Sequence, residues 1–289
     1  MKRFILKFLI VVVSISLVIA ITVFYAIYIS PSNLNISHRT ISSPKIEKDM
    51  DDVTIAFVSD VHYGEFMDHD RLSVMIEDIN ALSPDVVLFG GDVFSDPMNI
   101  AASPDEVSLV SKLFASIKAP LGKFYVLGES DLQNEDAKTF VSTFLYNAGF
   151  ENLTNKNVNL HNGTASFVSL VGIDSLVGGT PNVEQAFTNV NQESFTIVFT
   201  HVPDQLASIN DNSCDLAFAG HSHGGQLSLP LIGALTSQEG TSIYERGQYD
   251  SNRLHIEISN GLGTSDVDMR LFSPPEVLVY RLNATTNTK

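Results

Sequence analysis

The chain has 289 residues, 44% apolar and 17% charged, enough for one large domain with a real core. Seventeen Lys and Arg against 33 Asp and Glu leave a net charge of −16, which makes nucleic-acid backbones poor partners. The single cysteine, Cys214 in SCDLAFAG, excludes an internal disulfide framework and reads as a core filler.

The first element is apolar. Residues 8–30, FLIVVVSISLVIAITVFYAIYIS, carry no charge. As a helix they reach about 34 Å, enough to cross a bilayer. Lys2, Arg3 and Lys7 precede them, so the positive-inside rule puts the N-terminus in the cytoplasm and the rest outside. A cleaved signal peptide is the rival reading, but its apolar region would be shorter, about 7–15 residues. The reading is an uncleaved, single-pass anchor in the cell membrane, with residues 1–30 as cytoplasmic tip and anchor. Residues 31–52 are polar, contain Pro31 and Pro44, and read as a tether. Residues 53–289 form the domain proper.

Within it, short β-rich runs alternate with helical patterns. Residues 53–58 (VTIAFV) predict a strand ending at Ser59-Asp60. Leu72, Met75, Ile76, Ile79 and Leu82 recur at helical spacing. Residues 86–89 (VVLF) predict a strand before Gly90-Gly91-Asp92, and 104–117 a helix with Pro104 in its first turn. Residues 124–127 (FYVL) predict a strand, and 136–148 a helix closed by Gly149. Strands follow at 167–173, 195–200, 216–219, 254–259 and 277–282. The early βαβ units imply parallel pairing, and the later, shorter connections suit antiparallel pairing. The fold class is α/β, two sheets face to face with helices outside. Asp96 in FSDP and Asp174 in VGIDS read as turn caps.

Strand after strand ends in a side chain able to bind a metal. Asp60 and His62 follow the first strand, Asp92 the second and Glu129 the third. His201 follows FT, and His221 and His223 lie in GHSHGG. In open α/β sheets the carboxyl ends of the strands share one edge, where ligands bind. Three carboxylates and four imidazoles suit Mn²⁺, Fe²⁺ or Zn²⁺ and disfavour Ca²⁺. They are too many for one ion, and two divalent ions sharing a bridging carboxylate would use them all. Such a pair activates a water and clamps a phosphoryl group, so the chemistry is phosphoester hydrolysis.

The ordered set Asp60-x-His62, Gly91-Asp92, Gly128-Glu129-Ser130-Asp131, His201, Gly220-His221-x-His223 resembles the calcineurin-like metallophosphoesterases, from about residue 53 to 282. GHSHGGQLSLP and ISNGLGTSDVDMRLFSPPEV are similar to the membrane-associated bacterial YkuE/YaeI-like branch. The resemblance implies a four-layer α/β/β/α sandwich and a dinuclear centre. It places Asp60, His62 and His223 on one metal, Asp92 as the bridge, and His201, His221 and the position of Glu129 on the other.

The chain departs from the family at Gly128-Glu129-Ser130-Asp131, where the pattern is G-N-H-D. Glu129 replaces a neutral Asn ligand and adds a negative charge. Ser130 replaces the family's His, thought to protonate the leaving group or steady the transition state; its hydroxyl is far too weak an acid for that role. Asp131, which in the family orients that His, loses its partner. His69 or His161 are the candidate stand-ins. Arg270 is a candidate phosphate clamp, with a salt bridge holding the C-terminal strand as the alternative. The expected function is a dinuclear metal-dependent phosphoester hydrolase acting outside the membrane on a phosphodiester or pyrophosphate, a lipid-linked ester being one candidate. The alternative is an impaired pseudoenzyme that binds metal and a phosphorylated ligand or protein partner.

Overall fold

The computed structural model describes residues 2–209, 214–251 and 254–285. Helix α1 (Lys2–Tyr28) carries the uncharged stretch; it is long and apolar enough to cross a membrane, and its apolar window is unburied. Strand β1 (Asn35–Ser43) comes next, then β2 (Thr54–Val58), α2 (His69–Ala81), β3 (Val86–Phe89), α3 (Pro97–Ala101), α4 (Pro104–Ala115), β4 (Gly122–Tyr125), α5 (Glu135–Asn147) and β5 (Glu151–Asn152). Local chemistry sets the helices. Asp68 caps α2 by accepting from Arg71 N, and Asn134 caps α5 by accepting from Ala137 N. Pro104 opens α4, and Gly149, at φ +84°, follows α5.

The second half contributes β6 (Lys156–His161), β7 (Phe167–Gly172), α6 (Val183–Ala186), β8 (Thr196–Phe199) and β9 (Leu216–Ala219). A small hairpin of β10 (Ser228–Leu229) and β11 (Gly233–Ala234) follows. The last strands are β12 (Gly247–Ser251), β13 (Leu254–Ile258) and β14 (Glu276–Ala284). One sheet has the order β1-β14-β2-β3-β4-β5, the other β12-β13-β9-β8-β7-β6.

The alternation of side chains along the strands builds the layers. Ile55, Phe57, Val86, Leu88 and Phe124 face the second sheet and pack on Leu170, Ile197, Phe199, Leu216 and Phe218. Phe57 stacks on Phe218 at 5.2 Å across the sandwich. Ala56, Val58, Val87, Phe89 and Tyr125 face the other way, onto Leu72, Met75, Ile76, Val110, Phe114, Val141 and Phe144 of α2, α4 and α5. On the outer face of the second sheet, Val171, Val198, Ala217 and Ile256 are covered by Ala186 and Leu206. The four layers are therefore present, the last made, among the described residues, of short helical turns. Cys214 is buried in it, as a filler should be.

Two sequence expectations are corrected. Residues 31–52 are not a free tether: β1 runs parallel to β14 in continuous register from Asn35–Glu276 to Ser43–Ala284. The polar strand was masked because it sits at the sheet edge, where only Ser37 and Ile41 are buried. The later strands are also not mainly antiparallel. β7, β8, β9 and β13 all pair in parallel; antiparallel pairing is confined to β6–β7 and β12–β13 in that sheet. The segments 173–195 and 200–215 are long enough for crossovers, which parallel neighbours require. This difference matters, because parallel order puts the ends of β8 and β9 on the same rim.

Candidate metal centre

At the rim the chain turns sharply off each strand. Asp60, His62, Asp92, His221 and His223 all adopt positive φ, between +47° and +65°. Non-glycine residues rarely occupy this left-handed region, at a cost of order 1–3 kcal/mol each, and clusters of them mark functional sites. Here the turn throws each side chain inward. Two glycines allow the close approach. A Cβ on Gly128 would lie 2.1 Å from Asp92 Oδ1, and one on Gly220 would lie 2.5 Å from Asp60 Oδ2.

The seven residues expected at the site come together. Ligand atoms of Asp60, His62 and His223 lie within 4.8 Å of one another, as do those of Glu129, His201 and His221. Asp60, Asp92 and His201 form a third such set between them. His62 Nε2 and His201 Nε2 both face Asp92 Oδ2, at 3.3 and 3.4 Å. Both nitrogens are buried and lack a hydrogen-bond partner among the described residues. Buried polar atoms normally find one. Two unpartnered imidazole nitrogens converging on a carboxylate fit a cation.

Backbone carbonyls select the nitrogen each imidazole leaves free. His201 Nδ1 reaches Gly90 O at 2.7 Å, freeing Nε2. His221 Nε2 reaches Glu239 O at 2.8 Å, freeing Nδ1, which lies 3.3 Å from Glu129 Oε2. His223 Nδ1 reaches Gly263 O at 3.3 Å, freeing Nε2. Such partners orient metal-binding histidines. Asp60 is fixed by His221 N–H, which donates to both of its oxygens at 3.0 and 3.1 Å. Sequence reasoning could not find Gly90, Glu239 or Gly263, because they act through carbonyls that every residue carries.

Charge in the cluster is distributed unevenly. Burial opposes ionisation of Asp92, but His201 and His62 hold its carboxyl well below the ordinary range. Burial would lower His201, yet Asp92 and Asp60 outweigh it and push the imidazole up to about 10. Burial and the His201 charge push His221 down to about 4. Burial and the Asp92 charge push Glu129 up to about 7. A cation at this centre would compete with the proton that the neighbouring carboxylates favour on His201.

The site opens into a cleft of about 530 Å³ whose lining includes Glu65, Glu129, Glu239 and Asp266. That acidic mouth repels a phosphate unless cations reverse its sign. Ser130 also lines it. Its amide donates to Asp92 Oδ1 at 2.9 Å and its hydroxyl to Asp92 Oδ2 at 3.2 Å. Asp131 is buried and has a different task from orienting a histidine. It accepts the amides of Asp92, Val93 and Gly128 at 2.8, 3.0 and 3.0 Å, clamping the ends of β3 and β4 together.

Three expectations about other residues resolve. Arg270 is not a phosphate clamp: its side chain is fully buried and donates to the carbonyls of Ser273 and Asn260, both at 2.8 Å, and of Gly263. It braces the loop that carries Gly263 instead of holding the C-terminal strand through a salt bridge. His161 pairs with Phe167 at the amino end of β7, opposite the rim, and so does not stand in for the missing imidazole; His69 lies at the start of α2 with Nδ1 3.3 Å from Asp70 Oδ1 and is not among the residues lining the cleft. Asp96 caps α3, and Asp174 accepts from Ser175 N and Thr180 N, both as turn caps.

Comparison with known proteins gives the family. Overall the chain is 28% identical to the metallophosphoesterase YkuE of Bacillus subtilis, over 90% of each chain. It is 24% identical to the UDP-2,3-diacylglucosamine pyrophosphatase LpxG of Chlamydia muridarum, over 90% of this chain and 93% of that one. A dimetal phosphatase structure from Danio rerio aligns with 73% of this chain and 88% of its own, at 13% identity and a TM-score of 0.47. The family model for calcineurin-like phosphoesterases matches residues 53–225, and the chain belongs to this family of metal-dependent phosphoesterases.

Proposed function

We propose that this protein is a membrane-anchored, dinuclear phosphoester hydrolase that cleaves a phosphodiester or pyrophosphate on the outer side of the membrane. The observation that carries the reading is the convergence of His62 Nε2 and His201 Nε2 on one Asp92 oxygen, both nitrogens buried and unpartnered. Asp60, His62 and His223 would hold one ion; Glu129, His201 and His221 the other; Asp92 would lie between. Divalent ions bound there supply Lewis acidity and an activated water.

The remaining steps belong to the chain. The carbonyls of Gly90, Glu239 and Gly263 keep the imidazoles aimed. Asp131 holds the ends of β3 and β4 together so that Asp92 and Glu129 keep their spacing. Ser130, committed to Asp92, offers no proton of useful acidity to a leaving group. Substrates whose leaving group needs no proton, such as a phosphate or a nucleotide leaving from a pyrophosphate bond, therefore suit this site best. The likeness to a pyrophosphatase of a diacylated nucleotide sugar supports the same class and supports a lipid-linked substrate. The uncharged helix and the basic Lys2, Arg3 and Lys7 support an N-terminus in the cytoplasm.

The test is the full chain loaded with Mn²⁺ and assayed on bis-p-nitrophenyl phosphate, whose leaving group needs no acid. Two ions per chain and turnover abolished by His221→Ala are expected. Full occupancy with no turnover on any ester would replace the enzyme by a binding protein.

A further inference from the structure

The end of α1 is not separated from the domain. Arg270 N donates to Ala26 O at 2.9 Å, Arg71 donates to Pro31 O, and Ala26, Ser30 and Pro31 are buried. Ile21, Thr22 and Tyr25 of the helix line one groove with Leu271, Phe272 and Pro274 of the domain. Ile21 lies seven residues inside the helix end at Tyr28, about 10 Å along the axis. A helix that crosses the bilayer therefore carries the loop 271–274 to the depth of the headgroup and upper acyl region.

Other apolar side chains sit at the same place. Ser228 N donates to Leu271 O at 2.9 Å, so the β10–β11 hairpin lies directly beside that loop. At its tip, Leu231 is fully exposed and Ile232 is 73% exposed; Phe272 is 56% exposed. Exposed aliphatic residues clustered on a turn are costly in water and suit a membrane interface. Arg246 donates to Phe272 O at 3.2 Å, placing a cation beside this apolar cluster, as suits lipid phosphates. The hairpin also connects to the catalytic cleft. Gln226, two residues before its base, donates to Ser265 O and Val267 O, and Ser265 and Asp266 form a wall of the cleft.

We propose that the 228–234 hairpin and Phe272 are seated in the outer bilayer interface beside α1, so that the cleft receives phosphate esters presented by lipids in the same leaflet. The proposal rests on the anchored phosphoesterase reading and adds a second membrane contact that selects amphiphilic over soluble substrates. Continuity with the groove on α1 is what names the bilayer as the occupant.

The native chain contains no tryptophan, so a single one reports its own surroundings. Full-length Leu231→Trp, Phe24→Trp on the helix and Tyr146→Trp on the exposed face of α5 are reconstituted in phosphatidylcholine vesicles. Brominated phosphatidylcholine should quench the first two and leave the third bright. In parallel, the Leu231→Asp/Ile232→Asp double variant is assayed on bis-p-nitrophenyl phosphate in solution and on phosphatidyl-p-nitrophenol in vesicles. The soluble ester should be hydrolysed as before, and the embedded one about tenfold or more slowly, the scale of one lost Leu-sized contact with an apolar phase. Quenching of Phe24→Trp without Leu231→Trp overturns the proposal and leaves the anchor. A blue-shifted but unquenched Leu231→Trp overturns it in favour of a second copy of the chain. No quenching of Phe24→Trp overturns the proposal and the anchor together. Wild-type failure on both esters overturns the phosphoesterase reading.

Discussion

Gly128→Ala tests whether the centre depends on where Asp92 sits. The backbone at Gly128 lies outside the left-handed region, so alanine is conformationally acceptable there. The obstacle is space: the new Cβ would lie 2.1 Å from Asp92 Oδ1 and 2.7 Å from Asp92 N, against 3.4 Å or more for ordinary contact. Asp92 cannot simply withdraw. Its amide is bonded to Asp131 and its carboxylate receives both Ser130 donors. Either the carboxylate swings away from His62 and His201, or the loop carrying Glu129 moves back. In both cases a ligand is displaced by about 1 Å, which costs about 10²-fold in rate, with a stability penalty of about 1–3 kcal/mol for overpacking. The expected result is a drop from two metal ions per chain to one or fewer, and a matching fall in kcat on bis-p-nitrophenyl phosphate. Ser130→Ala, which removes only the hydroxyl, should keep both ions. Elemental analysis and steady-state kinetics read these outcomes. Two ions and wild-type kcat in Gly128→Ala would refute the placing of Asp92 between the ions.

The other predictions concern neighbouring residues. Ser130→His should raise kcat/KM by about 10²–10⁴-fold for esters with alkoxide leaving groups and barely change bis-p-nitrophenyl phosphate; an equal gain on both esters would contradict a proton-donor role for that position. Glu129, pushed up to about 7 by burial and then by Asp92, is protonated below that pH and must lose its proton to bind a cation. Mn²⁺ affinity at the second position should therefore fall more steeply below pH 7 than above it, by about a further tenfold per unit beyond the dependence contributed by His201, whose imidazole is pushed up to about 10. Calorimetric titration of Glu129→Asn should show this contribution gone, and an unchanged pH slope would count against Glu129 as a ligand. Arg270→Met should destabilise the fold by about 3 kcal/mol, since it leaves buried carbonyls without their charged donor. That corresponds to a Tm loss of about 6–12 °C. KM should be unaltered in the folded enzyme; a raised KM at unchanged Tm would restore Arg270 as a phosphate ligand.

Much of the fold was legible because local signals and burial agree. The strands at 86–89 and 216–219 are wholly buried apolar runs and match the structure residue for residue. The strand expected at 124–127 is shifted, since β4 begins at Gly122, where pairing with Val86 starts. What escaped was set by distant partners. β1 is polar and flanked by prolines, so nothing within it announces a strand; β14, far along the chain, makes it one. The parallel order of β7, β8, β9 and β13 is likewise a property of pairings, not of any segment. Arg270 shows the limit for side chains. A guanidinium near a phosphate site suggests a clamp, and only its enclosure by carbonyls reveals a brace.

The candidate site was legible for a different reason. The residues proposed to hold metal stand where ordinary turn chemistry would place glycine, asparagine or a small polar cap, and five of them bear the strain of positive φ. That strain is sustained because the strands behind it are among the best-packed parts of the molecule, with Phe57, Val86, Val87, Phe199 and Phe218 all fully buried. The rim can hold an unfavourable backbone, an unpaired imidazole edge and a crowd of carboxylates because the two sheets leave the strand ends little freedom to relax. The same rigidity makes Gly128 and Asp131 matter although neither would touch substrate. A centre built this way should lose metal through small displacements of its supports before the sandwich itself unfolds.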